Sequence, residues 1–346
     1  MSLSVKYRPK TFSEIVEQSS TKTILQRQLA TNTFVNTYLF AGPSGDGKTT
    51  TARVFANEIN HGQGSPIEID AASNNGVDNI RLLIDESKTR SIDSEYKVII
   101  VDEAHMITTA GWNAFLKCLE ETPKYTIFIF CTTDPQKIPN TILNRTMRFN
   151  LSKISTNAIR DRLMYICEKE GYTNYQEACE YIAKISDGGM RNGISYLEKS
   201  AGYSSDLSID NVIKALGNFS YELFLDLINA IVDDNEKCVL KIVDDIYNSG
   251  NDLKQFVEQF LDFVLDLNKY CLFKDISVTN IPASLEKPKN DRDTKCVRFA
   301  VSFDNSAKFF NNAVKELLDL KTMLRYDTSM RTTVSVKLLN LCRGVV

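Results

Sequence analysis

Three short apolar runs punctuate the first 150 residues, and each ends in polar residues. Tyr38-Leu39-Phe40 stops at Gly42, Val98-Ile99-Ile100-Val101 runs into Asp102-Glu103, and Ile127-Phe128-Ile129-Phe130 leads to Thr132-Thr133-Asp134. Runs that are apolar throughout, without alternation, fit strands buried on both faces, as in a parallel sheet covered by helices. Helix-like stretches lie between them, so the pattern predicts an α/β domain. Ligands of such sheets sit at the carboxyl ends of the strands, where all three polar endings fall.

Beyond residue 155 the pattern turns helical. Ala158 to Glu170 and Tyr175 to Ser186 read as helices, with Gly188-Gly189 and Gly193 as interruptions. After Gly217, apolar residues recur at three- and four-residue spacing from Tyr221 to Val232, Lys237 to Tyr247, Leu253 to Leu272 and Ala307 to Leu324. The stretch 274–292, with Pro282, Pro288 and mixed charges, reads as a loop. The expected layout is an α/β domain over residues 1–154, a small helical domain over 155–216 and an all-helical domain over 217–346, with no internal repeat or low-complexity tract.

Composition acts mainly by exclusion. With 43% hydrophobic and 25% charged residues the chain has ordinary soluble composition. A net charge of −3 is not that of a polybasic nucleic-acid coat, so any such contact must come from a local surface or an assembly. No apolar run approaches the ~20 residues that span a bilayer, so no membrane partner is expected, and MSLSVKYRPK lacks a signal-peptide core. The eight cysteines, at 118, 131, 167, 179, 238, 271, 296 and 342, form no CxxC and read as reduced thiols of a cytosolic compartment. The two histidines, His61 and His105, are too few for a histidine-rich metal site.

The motif richest in chemistry follows the first apolar run. Gly42-Pro-Ser-Gly45-Asp46-Gly47-Lys48-Thr49 satisfies GxxxxGK[ST] and opens a helical run from Thr50 to Glu58. Glycines let backbone N–H groups curl around a phosphate, and the helix N-terminus adds partial positive charge. Lys48 is expected to reach the β and γ phosphates and the Thr49 hydroxyl to hold Mg²⁺. Asp46 is unusual, because it sets a carboxylate beside a phosphate cradle; it is expected to point outward, or else to weaken binding.

Asp102-Glu103 closes the second run, 54 residues after Lys48. A carboxylate at the end of a buried strand is costly unless it has a task. Asp102 is expected in the Mg²⁺ shell, and Glu103 as the base that polarises an attacking water. The bland alternative is an acidic pair opening a helix. Thr133 ends the third run, where its hydroxyl could position the γ-phosphate or the water, although a Thr-Thr-Asp-Pro turn is often only a turn.

Taken together these residues resemble the AAA+ clamp loaders, most closely the gamma/tau subunits of bacterial DNA polymerase III and next the small subunits of replication factor C. The resemblance runs from Lys6-Tyr7-Arg8-Pro9-Lys10-Thr11-Phe12 and Ile15-Val16-Glu17-Gln18 through the P-loop, Ala71-Ala72-Ser73, Asp102-Glu103-Ala104-His105-Met106, Trp112 to Lys117 and Glu120-Glu121-Thr122-Pro123. Its most specific stretch is Thr132-Thr133-Asp134-Pro135-Gln136-Lys137-Ile138-Pro139, and Gly189-Met190-Arg191-Asn192 matches the family's second sensor. The resemblance implies an AAA+ domain, a helical lid and a helical collar. It also implies a nucleotide pocket lined by Tyr7, Arg8, Pro9, Gly42, Gly45, Gly47, Lys48, Thr49 and Thr50. Thr133 matches the first sensor and Arg191 the lid arginine that reaches the γ-phosphate. Arg145 stands where the family has the arginine finger that enters a neighbouring subunit's site.

The implied function is that of an ATPase motor in a pentamer that opens a sliding clamp with ATP and Mg²⁺ and closes it on primer–template DNA. Asn74, Asn75 and Arg81 resemble the family's DNA-facing segment, although Asn stands where a basic residue is usual. Three departures stand out. The finger triplet is Asn144-Arg145-Thr146 rather than Ser-Arg-Cys, Glu17 replaces a glycine, and the stretch from Ala56 to Ile69 has no cysteine, so no zinc is expected. No tau-type extension for polymerase and helicase is expected. A compact viral or otherwise reduced loader, in bacterial cytoplasm or an infected cell, fits these departures. Rival readings are a hexameric branch-migration motor, a nucleotide-binding scaffold without turnover, and a DEAH helicase, which would need a second βα domain.

Overall fold

The computed structural model describes residues 1–287 and 295–342. Pro288 and the rest of the expected loop up to 292 lie outside the described residues, as do the last four positions of the C-terminal helical region. Two compact units are present: Met1–Gly171 with Ile182–Glu198, and Tyr172–Tyr181 with Lys199–Val346.

The first unit is built on a five-stranded parallel sheet of β1 (Thr37–Ala41), β2 (Ile67–Asp70), β3 (Lys97–Asp102), β4 (Thr126–Thr132) and β5 (Met147–Asn150), in the order β2-β3-β4-β1-β5. The apolar runs of the sequence are the three central strands. β1 and β4 are buried at every position and β3 at all but Asp102. Successive side chains leave a strand on opposite faces, and the core divides accordingly. Tyr38, Phe40, Val98, Ile100, Ile127 and Ile129 face one apolar layer, closed by Phe55 and Ile59 of helix Lys48–Ile59. Leu39, Ile99, Val101, Phe128 and Phe130 face the other, closed by Ile80 and Ile84 of Val77–Ser87 and by Trp112 and Phe115 of Thr109–Glu120.

β2 and β5 are the edges and were not visible as apolar runs. Each is four residues long; β2 alternates half-buried and exposed positions, and β5 buries only Phe149. Beyond the sheet, helix Thr156–Glu170 begins at Ser155, whose hydroxyl accepts the Ala158 N–H, and ends at Gly171.

Gly188 and Gly189 lie between Tyr175–Ile185 and Met190–Tyr203, as the sequence suggested, but Gly193 does not interrupt a helix. It lies inside Met190–Tyr203, where a Cβ would stand 3.0 Å from Ser186 Oγ and 3.2 Å from Ile159 Cγ2. Close helix packing, not chain breaking, is what requires a glycine here.

The second unit is all-helical. Tyr221–Val232, Glu236–Asn248, Leu253–Phe273, Ser306–Met323 and Met330–Cys342 share a core that includes Phe224, Ile228, Phe256, Phe260, Phe310 and Leu338. Leu253–Phe273 is 21 residues long and buries Asp266, which accepts from Lys269 Nζ at 2.8 Å and from the Asn280 N–H at 3.0 Å. Within 274–287 the chain forms only the short turns Ile276–Val278 and Ala283–Leu285. No helix among the described residues is long and apolar enough to cross a membrane.

Overpacking at Gly193 gives a direct test of this arrangement. Gly193→Leu is expected to lower stability by about 1–3 kcal/mol, read as a fall in the thermal unfolding midpoint. Gly202→Ala, in the same helix with nothing within 4 Å of the new Cβ, is expected to be neutral or to stabilise by up to about 1 kcal/mol.

Candidate nucleotide site

The three central strands release the chain at one edge of the sheet, and the loops that follow them form one cavity of about 410 Å³ within the first unit. Its walls include Gly45, Gly47, Lys48, Thr49 and Thr50 after β1, Asp102 and Glu103 from β3, and Thr133 after β4. Tyr7, Arg8 and Pro9 come from the N-terminal segment and Arg191 from helix Met190–Tyr203.

The loop after β1 has the backbone its glycines allow. Gly45 and Gly47 have φ of +81° and +98°, the left-handed region that disfavours other residues. Gly47 caps helix Lys48–Ile59, whose first turn closes with the Thr51 N–H donating to Gly47 O at 2.7 Å. The loop is braced from outside: the Met190 N–H donates to Gly45 O at 3.0 Å, and a Cβ on Gly45 would stand 3.1 Å from Gly189 Cα. Arg191 is thereby anchored one residue from the loop it faces.

The Thr49 hydroxyl donates to Asp102 Oδ2 at 2.8 Å, and the other Asp102 oxygen accepts the Glu103 N–H at 3.0 Å. A hydroxyl and a carboxylate in contact, beside a ring of backbone amides, form a donor set suited to Mg²⁺ that keeps waters and phosphate oxygens as its other ligands. Glu103 adopts φ of +46° and keeps a side chain 40% exposed. Its Oε2 lies 3.3 Å from Thr133 Oγ1 and 3.3 Å from His105 Nδ1. His105 also reaches Thr132 Oγ1 at 3.2 Å, so it braces the acidic turn, a role its place in Asp102-Glu103-Ala104-His105 did not reveal.

Asp46 departs from expectation. It points inward, 2% exposed, and its Oδ1 accepts from Lys48 Nζ at 3.1 Å and from the Lys48 N–H at 3.2 Å. Lys48 Nζ also donates to Gly42 O at 2.9 Å and Pro43 O at 2.6 Å. Gly42, unlike Gly45 and Gly47, does not line the cavity. Burial pushes the Asp46 carboxyl above its usual range, against the pull of Lys48.

Residues without a recognisable motif hold the N-terminal segment. Glu170, at the end of Thr156–Glu170, accepts from the Tyr7 hydroxyl and from Lys6 Nζ, the latter at 2.6 Å, and Arg162 donates to Tyr7 O at 2.9 Å. Arg53, on the helix opened by Lys48, also lines the cavity and donates to both oxygens of Glu68, through Nε at 2.7 Å. Burial, with Arg53 and Arg191 nearby, holds the Arg8 guanidinium below its usual range.

Arg145 is not part of this group. It lies after Asn140–Leu143, donating to Glu120 Oε1 at 2.6 Å and to Thr141 O at 2.8 Å. Asn74, Asn75 and Arg81 also lie apart: Asn74 Nδ2 donates to Asp70 O, Asn75 is exposed before helix Val77–Ser87, and Arg81 pairs with Asp78 at 3.3 Å.

Comparison with known proteins places most of the chain beside DNA polymerase III subunits. Residues 59–155 match the family model described as DNA polymerase III, delta subunit, and residues 207–285 match that of DNA polymerase III subunits gamma and tau domain III. DNA polymerase III subunit tau of Bacillus subtilis is 34% identical over 307 residues, covering 82% of this chain and 54% of the relative. Over most of its length the chain is similar to DNA polymerase III gamma/tau subunits. The gamma/tau subunit of Mycoplasma genitalium is 33% identical over 79% of this chain and 50% of its own length, and subunit tau of Escherichia coli is 31% identical over 75% and 44%. The chain thus spans about half the length of these relatives. Among solved structures, RuvB of Thermotoga maritima, a Holliday junction branch migration motor, superposes with a TM-score of 0.52 at 18% identity, over 65% of this chain and 79% of that one. That likeness shows a shared fold alone.

Within the site, the Glu170 clamp is pH-dependent in a defined sense. Hydrogen bonds from Lys6 and Tyr7 hold the Glu170 carboxyl below its usual value of 4.5. A depressed folded pKa means that the contact contributes fully above that value and is lost as pH falls through the lowered one. Hydrogen-exchange protection of residues 3–9, corrected for intrinsic rates, is expected to be constant from pH 7 to 5 and to drop below it. Glu170→Gln is expected to show the reduced protection already at pH 7.

Proposed function

We propose that the chain is an ATPase motor subunit of a clamp loader, coupling nucleotide turnover to the placing of a sliding clamp on primer–template DNA. The observation that carries this reading is the Thr49–Asp102 hydrogen bond at 2.8 Å, with Glu103 and Thr133 beside it. Similarity to DNA polymerase III gamma/tau subunits over most of the chain also supports it.

In this reading the loop amides and Lys48 bind the triphosphate, and Tyr7, Arg8 and Pro9 border the base. Thr49 and Asp102 hold Mg²⁺, which when bound supplies charge neutralisation at the phosphates. Glu103 accepts a proton from the attacking water, and Thr133 orients Glu103 or that water. Arg191 neutralises charge on its own subunit's nucleotide, while Arg145 completes a neighbouring subunit's site, as arginine fingers do.

Residues 1–154 would act as the nucleotide-binding domain, 155–216 as a lid and 217–346 as a collar that holds a pentamer together. Asn74, Asn75 and Arg81 would touch DNA. Each subunit supplies few contacts, so binding a polyanion despite a net charge of −3 rests on several subunits adding theirs.

The test is an ATPase assay on the assembled loader, with and without clamp and primed DNA. Clamp and DNA together are expected to stimulate turnover strongly, and Lys48→Ala to abolish it. Arg145→Ala is expected to keep nucleotide affinity while lowering turnover by about 10³-fold or more. Rates indifferent to clamp and DNA, with a hexamer by mass measurement, would reject the loader in favour of a branch-migration motor.

A further inference from the structure

Asp46 is the one charged side chain of the loop besides Lys48, and the proposed chemistry leaves it without a task. Its Oδ1 takes the backbone N–H and the ammonium of Lys48, two donors that a loop of this kind turns toward a phosphate oxygen. An ammonium has three N–H donors, and Gly42 O, Pro43 O and Asp46 Oδ1 accept all three. As the loop stands, Lys48 therefore has no donor to spare for a ligand.

The carboxylate is not comfortable in this seat. Asp46 Oδ2 is buried and has no hydrogen-bond partner. It takes up the space beside Gly42 where a side chain would otherwise stand, a Cβ there falling 2.1 Å from Oδ2. A buried carboxylate oxygen without a donor costs free energy that solvent would return. Lys48, through its N–H at 3.2 Å and its ammonium at 3.1 Å, is the cation that holds the Asp46 carboxylate inward.

We propose that Asp46 is an internal competitor for the phosphate seat, holding Lys48 until a nucleotide phosphate displaces it, and so lowers nucleotide affinity and speeds nucleotide exchange. This rests on the reading of the loop as a nucleotide site. A phosphate carrying two or more negative charges outcompetes one carboxylate for the same donors, and the displaced Asp46 gains water as it turns into the cavity. On product release the reverse holds: the carboxylate re-engages Lys48, so the cation is never left buried without an anion. Asp46 is thus a positioning residue acting through Lys48.

The test uses the full chain with Asp46→Asn, which keeps size and removes charge, and Asp46→Ser as a second variant. Dissociation constants for Mg-ATP, Mg-ADP and pyrophosphate are measured, with ADP release followed by chase. Both variants are expected to bind ADP about tenfold tighter or more, with pyrophosphate gaining by a similar factor and ADP leaving correspondingly more slowly. Turnover is expected to show a lower KM with kcat unchanged or reduced. Folded variants that bind no tighter than the parent overturn the proposal, as does a gain for ATP that pyrophosphate does not share. Failure of the parent and both variants alike to bind Mg-ATP overturns the nucleotide reading and this inference with it, so the two failures are distinguishable.

Discussion

Burial of β1, β3 and β4 on both faces is the constraint from which the site follows. Strands so enclosed must find all their hydrogen bonds within the sheet, and being parallel they must all end at the same edge. In the order β3-β4-β1, the loop with Lys48, the Asp102-Glu103 turn and Thr133 emerge side by side. β3 and β1 are two strand spacings apart, about 10 Å. The Gly42–Gly47 loop and the first turn of helix Lys48–Ile59 close that gap, bringing the Thr49 hydroxyl to Asp102. Bridging the gap takes backbone geometry that only glycine adopts readily, at Gly45 and Gly47.

The same constraint decides what the sequence discloses. A strand buried on both faces writes an unbroken apolar run, and the three such runs were the central strands to within two residues at either end. β2 and β5 are four-residue edges with one face toward solvent, so their apolar signal is too short and too diluted to stand out. Helix Met330–Cys342 was hidden for another reason. Val334, Leu338, Leu341 and Cys342 fall at buried, helix-spaced positions, but Val336, 51% exposed, and Leu339 blur the stripe.

For the site, residue types in fixed spacing carried most of the information, because phosphate and metal binding demand particular atoms in order along the chain. What they could not carry is the choice among competing acceptors. Lys48 has the required ammonium, yet whether it faces a ligand, two carbonyls or a carboxylate depends on distances that no spacing encodes. Glu170, Arg162, Arg53 and His105 were silent because each acts across 15 or more residues of chain or through a neighbour. Gly193 misled because a glycine that allows close approach and one that breaks a helix are the same letter.

The charge arrangement around the cavity reconciles Asp46 with a site for anions. Arg8, Arg53, Arg191 and Lys48 all line it. Two of these cations are matched within the protein, Lys48 by Asp46 and Arg53 by Glu68. Burial, and after it Arg53 and Arg191, hold the Arg8 guanidinium below its usual range while Glu68 raises it, so like charges share this wall at some repulsive cost. A polyanion lying between Arg8 and Arg191 relieves that repulsion whether or not Lys48 has let go of Asp46. Positive charge is therefore spread over the cavity wall rather than concentrated in the loop lysine. In the proposed reading, that division lets a carboxylate occupy the centre of the loop without cancelling the site: the arginines would draw the ligand in, and only its closest phosphate would have to contest the seat with Asp46.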